Sequence, residues 1–253
     1  VADDFVDDMK RRFGEDSPAY FVRVLGSFPP AEEDTVIPVF LIEHAFNSTV
    51  KVHEDTIAVW GLDVARQGGD SSVLCKRQGP MIHPLTVWRN LDLMQLSGAV
   101  KAEYDAMPPS RRPAEIIIDS NGFGAGVLDR LRELGLPARG LNVSERAVAK
   151  QTYLNLRAEL WFKCKAWLEG MDVSLPKDDA LYAELAGPRY MFTSSGKIQV
   201  ESKESMKKRG IRSPDRADAL CLALANDHTT MAFGVAAAGS WAKPIRRNIR
   251  GVV

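Results

Sequence analysis

The sequence predicts an α/β fold in which a mixed central sheet is flanked by helices. Three observations predict it. Two apolar runs, residues 57–63 and 72–76, are separated by a Gly68-Gly69 turn and read as paired strands. A third run, Glu115-Ile-Ile-Ile-Asp119, is β-branched without polar alternation, the pattern of a central parallel strand covered on both faces. Elsewhere apolar residues recur at three- and four-residue steps, so helices supply the covering layers.

Taken in order, residues 1–55 mix acidic clusters with Pro18, Pro29, Pro30 and Pro38 and read as a linker from an upstream region, without a core of its own. The strands at 57–63 and 72–76 follow, then a third around 81–88. A helical pattern over 91–107 stops at Pro108-Pro109. After the strand at 115–119 comes a glycine cluster, 122–126, then a helix over 127–134 and a strand over 138–143. Tyr153, Leu156, Leu160, Cys164 and Trp167 mark a long amphipathic helix that ends before Gly170, and its stripe reads as core packing. A helix at 181–186 follows. Next come a hairpin of 189–193 with 197–200 across Ser195-Gly196, and a last helix over 215–226 entered through Ser213-Pro214. The folded domain is thus expected at 56–230, with a basic tail at 231–253.

Of the 253 residues, 45% are hydrophobic, enough for one sizeable core. No apolar run approaches the roughly 18 residues of a membrane span, so no membrane role is expected. No secretory leader is legible, and a chain beginning at Val1 reads as a piece of a longer protein. Cys75, Cys164 and Cys221 form no CxxC pair, which argues against a zinc site or a disulfide framework and for a reducing compartment. The formal net charge of zero conceals a split. Residues 1–55 hold 12 acidic and 5 basic side chains, leaving 28 basic against 21 acidic in 56–253. The excess is concentrated in 197–216 and 243–250; a DNA-binding face and a solvated charged face both account for it.

The chemistry sits in carboxylates at the ends of core elements: Asp63 where the first strand leaves the core, Asp119 at the end of the apolar strand, and Asp215 with Asp218 at the start of the last helix. Each alone has an ordinary reading as a turn or helix cap. Their joint placement on strand, strand and helix favours a metal site, because a buried carboxylate is costly unless paired or bound to a cation. All-oxygen ligation with water suits Mg²⁺ or Mn²⁺ rather than Zn²⁺. Asp215 and Asp218 are three residues apart on one helix face, and either or both can reach one site. Asp70 is best read as stabilising its turn.

Four motifs in order carry a family resemblance. They are Gly61-Leu-Asp63-Val-Ala-Arg-Gln-Gly-Gly-Asp70-Ser-Ser, Ile116-Ile-Ile-Asp119-Ser-Asn-Gly122-x-Gly124, Asn155-Leu-Arg157-Ala-Glu159-x-Trp161, and Ser213-Pro-Asp215-Arg-Ala-Asp218-Ala-Leu. Together they resemble the C-terminal nuclease domain of the large terminase subunit of tailed double-stranded DNA phages. The opening Phe13-Gly-Glu-Asp-Ser-Pro-Ala-Tyr resembles the segment that joins this nuclease to its ATPase motor. The resemblance implies a ribonuclease H-like fold and a cluster of acidic ligands, Asp63, Asp119, Asp215 and Asp218, holding two Mg²⁺ or Mn²⁺ ions. It implies cleavage of concatemeric viral double-stranded DNA during packaging, in the cytoplasm of an infected or lysogenic bacterial host. The implied partners are the packaging ATPase domain, the small terminase subunit and the portal. Among acidic residues of the last motif, alignment favours Asp215.

No G-x-x-x-x-G-K-[ST] phosphate loop is present, so no ATPase activity is expected of this chain. Lys203 precedes the last helix and is a candidate for the scissile phosphate, with a solvated surface helix as the competing account. Lys207, Lys208, Arg209 and Arg212 read as DNA-backbone contacts, which position without specifying sequence. A dinucleotide fold fails on spacing, since its third glycine would fall at Val127. A serine hydrolase lacks its G-x-S-x-G elbow. A Holliday-junction resolvase or integrase-like nuclease, or a non-catalytic module binding DNA or the portal, remain the alternatives.

Overall fold

The computed structural model describes residues 4–7, 10, 24–25, 34–65 and 71–225. Its centre is a six-stranded mixed sheet, built from β1 (Ala58–Asp63), β2 (Ser72–Gln78), β3 (Met81–Ile82), β4 (Thr86–Trp88), β5 (Glu115–Asp119) and β6 (Ala138–Leu141). The strand order is β3-β2-β1-β5-β6, with β4 also paired to β2. β2 runs antiparallel to β1, as expected of neighbours across a short turn, whereas β5 runs parallel to both β1 and β6. The strand expected around 81–88 is two short pieces, with Pro84 in the gap where it can donate no ladder bond.

Period-two alternation sorts the strand residues between two cores. Trp60, Leu62, Ile116 and Ile118 face one layer, together with residues of α2 (Leu93–Asp105) and α3 (Phe123–Glu133). Val59 and Ile117 face the other, against α1 (Val39–Asn47), α4 (Leu156–Glu169), α5 (Asp179–Ala186) and α7 (Asp215–Ala223). The hairpin β7 (Tyr190–Phe192) with β8 (Ile198–Val200) lies apart from the main sheet, and the short α6 (Lys203–Lys208) leads from it towards α7.

Two expectations need correction. The segment expected to be a coreless linker contributes α1, whose Leu41, Ile42, Ala45 and Phe46 join Val36 and Ile37 in the larger core. Packing therefore begins well before residue 55, with Val6 and Val24 also against this core; the prolines and acidic residues around α1 masked a helix only nine residues long. Most of 1–33, together with Asp70 and the basic tail, lies outside the described residues. The glycine cluster, expected to precede its helix, lies mostly inside it. Gly122 supplies the turn with φ of +58°, and α3 then starts at Phe123.

Among the described residues no helix is long and apolar enough to cross a membrane. The three cysteines are free and buried.

Candidate metal centre

Asp63 and Asp119 are brought together by register. Leu62 of β1 is aligned with Ile118 of the parallel β5, so the next residue on each strand, an aspartate, emerges at the same carboxyl edge of the sheet. Alternation turns both onto the face that carries α7, the face of Val59 and Ile117. Ligand crevices of open α/β sheets lie beyond this edge.

α7 reaches that edge because Gly61 lets it. A Cβ on Gly61 would stand 2.1 Å from Ala219 O and 2.4 Å from Ala223 N, so only a glycine allows the helix to lie directly on β1. The N-terminus of α7 has no side-chain cap of its own at Pro214. Glu184 of α5 takes that role, its Oε2 accepting from Arg216 N at 2.6 Å and Ala217 N at 3.1 Å. This fixes the turn of helix on which Asp215 and Asp218 stand.

The two aspartates then part. Asp218 lines a cavity of about 50 Å³ with Asp63, Asp119, Val143, Arg157, Leu160, Trp161, Lys203, Cys221 and Leu222. Asp215 is not among the lining residues; its Oδ2 accepts from Ser71 N at 3.1 Å, beside the mouth of β2. The cavity has room for about three to five waters at about 10–15 Å³ each.

Lys203, on the first turn of α6, extends into the cluster. Its Nζ is 2.9 Å from Asp218 Oδ2, 3.8 Å from Asp215 Oδ1 and 3.9 Å from Asp63 Oδ2. The ammonium thus stands where the carboxylates converge. Among the described residues, correspondingly, no three His, Cys, Asp or Glu side chains close around a common point as ligands would. The Lys203 side chain is still 43% exposed, so it has a route out to solvent.

Electrostatics describe a site short of positive charge. Burial drives the Asp63 carboxyl well above the ordinary aspartate range; Lys203 opposes the rise, and Asp218, Asp215 and Asp119 add to it. Burial also raises Asp119, against the backbone N–H groups of Asn121 and Val143 that its carboxylate accepts. Burial acts upward on Asp218 too, but Arg157 and Lys203, with hydrogen bonds from Lys203 and Trp161, outweigh it and leave that carboxyl low. Burial works against the Lys203 ammonium, yet Asp218 and Asp63 more than offset it and hold the lysine charged. Four carboxylates share Lys203 and Arg157 as near cations, so the donor set fits a small divalent cation wherever the ammonium withdraws.

The other residues singled out from the sequence are elsewhere. Lys207, Lys208 and Arg212 are exposed and do not line the cavity. Arg209 is also exposed as a residue, but its guanidinium is engaged, Nε donating to Glu201 Oε1 and a terminal nitrogen to Gly187 O, each at 2.9 Å. Sequence reasoning assigned no role to Arg157 and Trp161, which line the cavity from α4. Their four-residue spacing, one helical turn, was the signal available.

No family model matches the chain. A probable terminase large subunit of Enterobacteria phage P7 is 26% identical over 226 residues, which is 83% of this chain and 45% of the relative. The chain therefore spans about half the length of the curated relative it matches. Among solved structures, the nuclease domain of the large terminase subunit gp2 of bacterial virus Sf6, in a variant with manganese and beta-thujaplicinol, superposes with a TM-score of 0.63. Identity there is 20%, over 75% of this chain and 98% of that one. The large terminase nuclease of thermophilic phage G20c, with bound magnesium, gives 0.58 at 18% identity over 77% and 98%. The fold is that of large terminase nuclease domains, a ribonuclease H-like mixed sheet flanked by helices.

Proposed function

We propose that the chain is a divalent-metal-dependent endonuclease that cuts concatemeric viral double-stranded DNA during genome packaging. The observation that carries the reading is the meeting of Asp63, Asp119 and Asp218 in one cavity, at the carboxyl edge of two parallel strands and the start of α7. The names of the relatives support it: a probable terminase large subunit, and nuclease domains crystallised with manganese, magnesium and cobalt.

Asp63, Asp119 and Asp218, which line the cavity together, would hold the metal, with Asp215, whose Oδ2 accepts from Ser71 N, as a further ligand beside them. Mg²⁺ or Mn²⁺ suits an all-carboxylate set. When bound, two such ions supply an attacking hydroxide and stabilise the leaving 3′ oxygen. The residues of the chain do the rest. Leu160, Trp161 and Leu222 wall the cavity and limit water. Lys203 exchanges its carboxylates for a non-bridging oxygen of the scissile phosphate, for which its ammonium is the right charge. Exposed Lys207, Lys208 and Arg212 hold the DNA backbone without reading sequence. The packaging ATPase domain, small terminase subunit and portal are the partners this role calls for, in the cytoplasm of the bacterial host.

The test is plasmid nicking and linearisation. The chain should cut in Mn²⁺ or Mg²⁺ and fall silent in EDTA, and Asp63→Ala or Asp119→Ala should abolish cutting. Cleavage that survives chelation would overturn the proposal.

A further inference from the structure

We propose that Trp161 and Arg157 are positioning residues for Asp218, pinning one of its carboxylate oxygens to α4 so that the other is the one offered to the cavity. This rests on the metal-site reading above and extends it to two residues of α4 that act through Asp218.

The two oxygens of Asp218 have separate surroundings. Oδ1 accepts the indole N–H of Trp161 at 3.0 Å, and Arg157 Nε stands 3.7 Å from the same atom. Oδ2 faces Lys203 Nζ at 2.9 Å. Whatever cation takes the place of the ammonium therefore meets Oδ2, in an orientation already set.

Trp161 is completely buried, with a relative exposure of 0%. An indole carries one donor and no acceptor, and a buried one needs a partner for it. Phenylalanine would fill much of the same core without that need. The N–H is thus the part of this side chain that packing does not explain, and its partner is a carboxylate at the cavity.

Arg157 lies one turn earlier on the same face, its guanidinium carbon 5.8 Å from the Trp161 ring centroid. One terminal nitrogen donates to Glu201 O at 2.6 Å. The other terminal nitrogen and Nε are buried without a hydrogen-bond acceptor, so Asp218 receives the charge of Arg157 rather than a hydrogen bond. Because Glu201 is two residues before Lys203, Arg157 also ties the anchor of Asp218 to the segment that carries the lysine. A buried cation with spare donors is expensive in a core. Beside a carboxylate that must stay ionised and oriented, it has a use.

Three measurements on the full chain decide the matter. In the metal-free protein, loss of the indole resonance in Trp161→Phe identifies the Trp161 peak among five tryptophans. That peak should move upfield in Asp218→Asn, and a peak that stays in place overturns the pairing. In calorimetry, Trp161→Phe should melt close to the parent yet bind Mn²⁺ about tenfold more weakly; equal affinity overturns the positioning role. In DNA cleavage, Trp161→Phe should lower kcat with KM for DNA unchanged. Arg157→Lys, which keeps the charge, should recover most of what Arg157→Met loses. A kcat equal to the parent's in Trp161→Phe at every Mn²⁺ concentration also overturns it. If the parent neither binds Mn²⁺ nor cuts DNA, the nuclease reading has failed, and with it the positioning role; the indole resonance then still decides whether Asp218 is pinned.

Discussion

Asp63 ends a buried strand, and burial, with three other aspartates nearby, works against its carboxylate. Its folded carboxyl lies above its unfolded value of about 4. A raised carboxyl favours the folded state below the unfolded value, and this contribution is lost as pH rises through the folded one. The contribution of Asp63 to the stability of the metal-free protein should therefore fall as pH climbs above about 4. Asp63→Asn should flatten that decline and melt no lower than the parent at neutral pH. Thermal melts across a pH series check it; a large fall on substitution would instead make Asp63 a structural cap. Lys203→Ala tests the neighbouring charge in two directions. Without the ammonium, Mn²⁺ should bind about tenfold tighter, or ~1.4 kcal/mol, while the metal-free protein melts lower because Asp218 and Asp63 lose their cation. Calorimetry and melting read the two effects separately.

Elements, more than single side chains, set the spacing of the site. α7 lies on β1 at Gly61, and a methyl group there would collide with the backbone at Ala219 and Ala223. Gly61→Ala should cost about 3 kcal/mol and reduce cleavage beyond what lost stability explains, because the helix that carries Asp218 must move outward. Denaturant melts beside initial rates at low temperature distinguish the two losses. α6 is held differently. Burial raises the Glu201 carboxyl, but Arg209 and Ser205 outweigh it and the group lies below its ordinary value. A depressed carboxyl contributes stability above its unfolded value, and the contribution disappears as pH falls through the folded one. Glu201→Gln should then melt lower than the parent at pH 7, by about 2 kcal/mol, with the difference closing in the acid range. A gap that persists to pH 3 would show that packing, not the ionised pair with Arg209, holds α6 in place.

On the scale of the whole molecule, charge is divided between an acidic leading segment and a basic body, and on the proposed function the exposed cations after Lys203 are the ones that would meet DNA. Neutralising Lys207, Lys208 or Arg212 one at a time should slow cleavage of all sequences alike and lower the salt-dependence slope by about one unit per contact. Arg209 belongs to a different class. Its donors are spent on Glu201 and Gly187, so its loss should show first in stability. A salt series at fixed metal, run beside thermal melts, separates the two behaviours. Variants of Lys207, Lys208 and Arg212 that cut as fast as the parent at every salt concentration would make that stretch a solvated face.

Much of the fold was legible because its signals are local. Strand 115–119 was fixed by its β-branched run, the long helix by its apolar stripe, and the last helix by its proline entry, each a pattern inside a dozen residues. α1 escaped because nine residues among prolines carry too short a period to be read. Asp63, Asp119, Asp215 and Asp218 could be nominated from their places at element ends, since a carboxylate at the edge of a core asks for a reason. Their separation into cavity and margin could not. Asp218 rather than Asp215 faces Asp63 because α7 lies against Gly61 with a rotation that Glu184 and Ser71 set from elsewhere in the chain. Lys203 at the point of convergence, Arg209 paired with Glu201 and Trp161 bonded to Asp218 are likewise contacts across 8 to 140 residues of sequence. Such contacts depend on register, helix rotation and side-chain reach at once, and only the packed tertiary structure fixes all three.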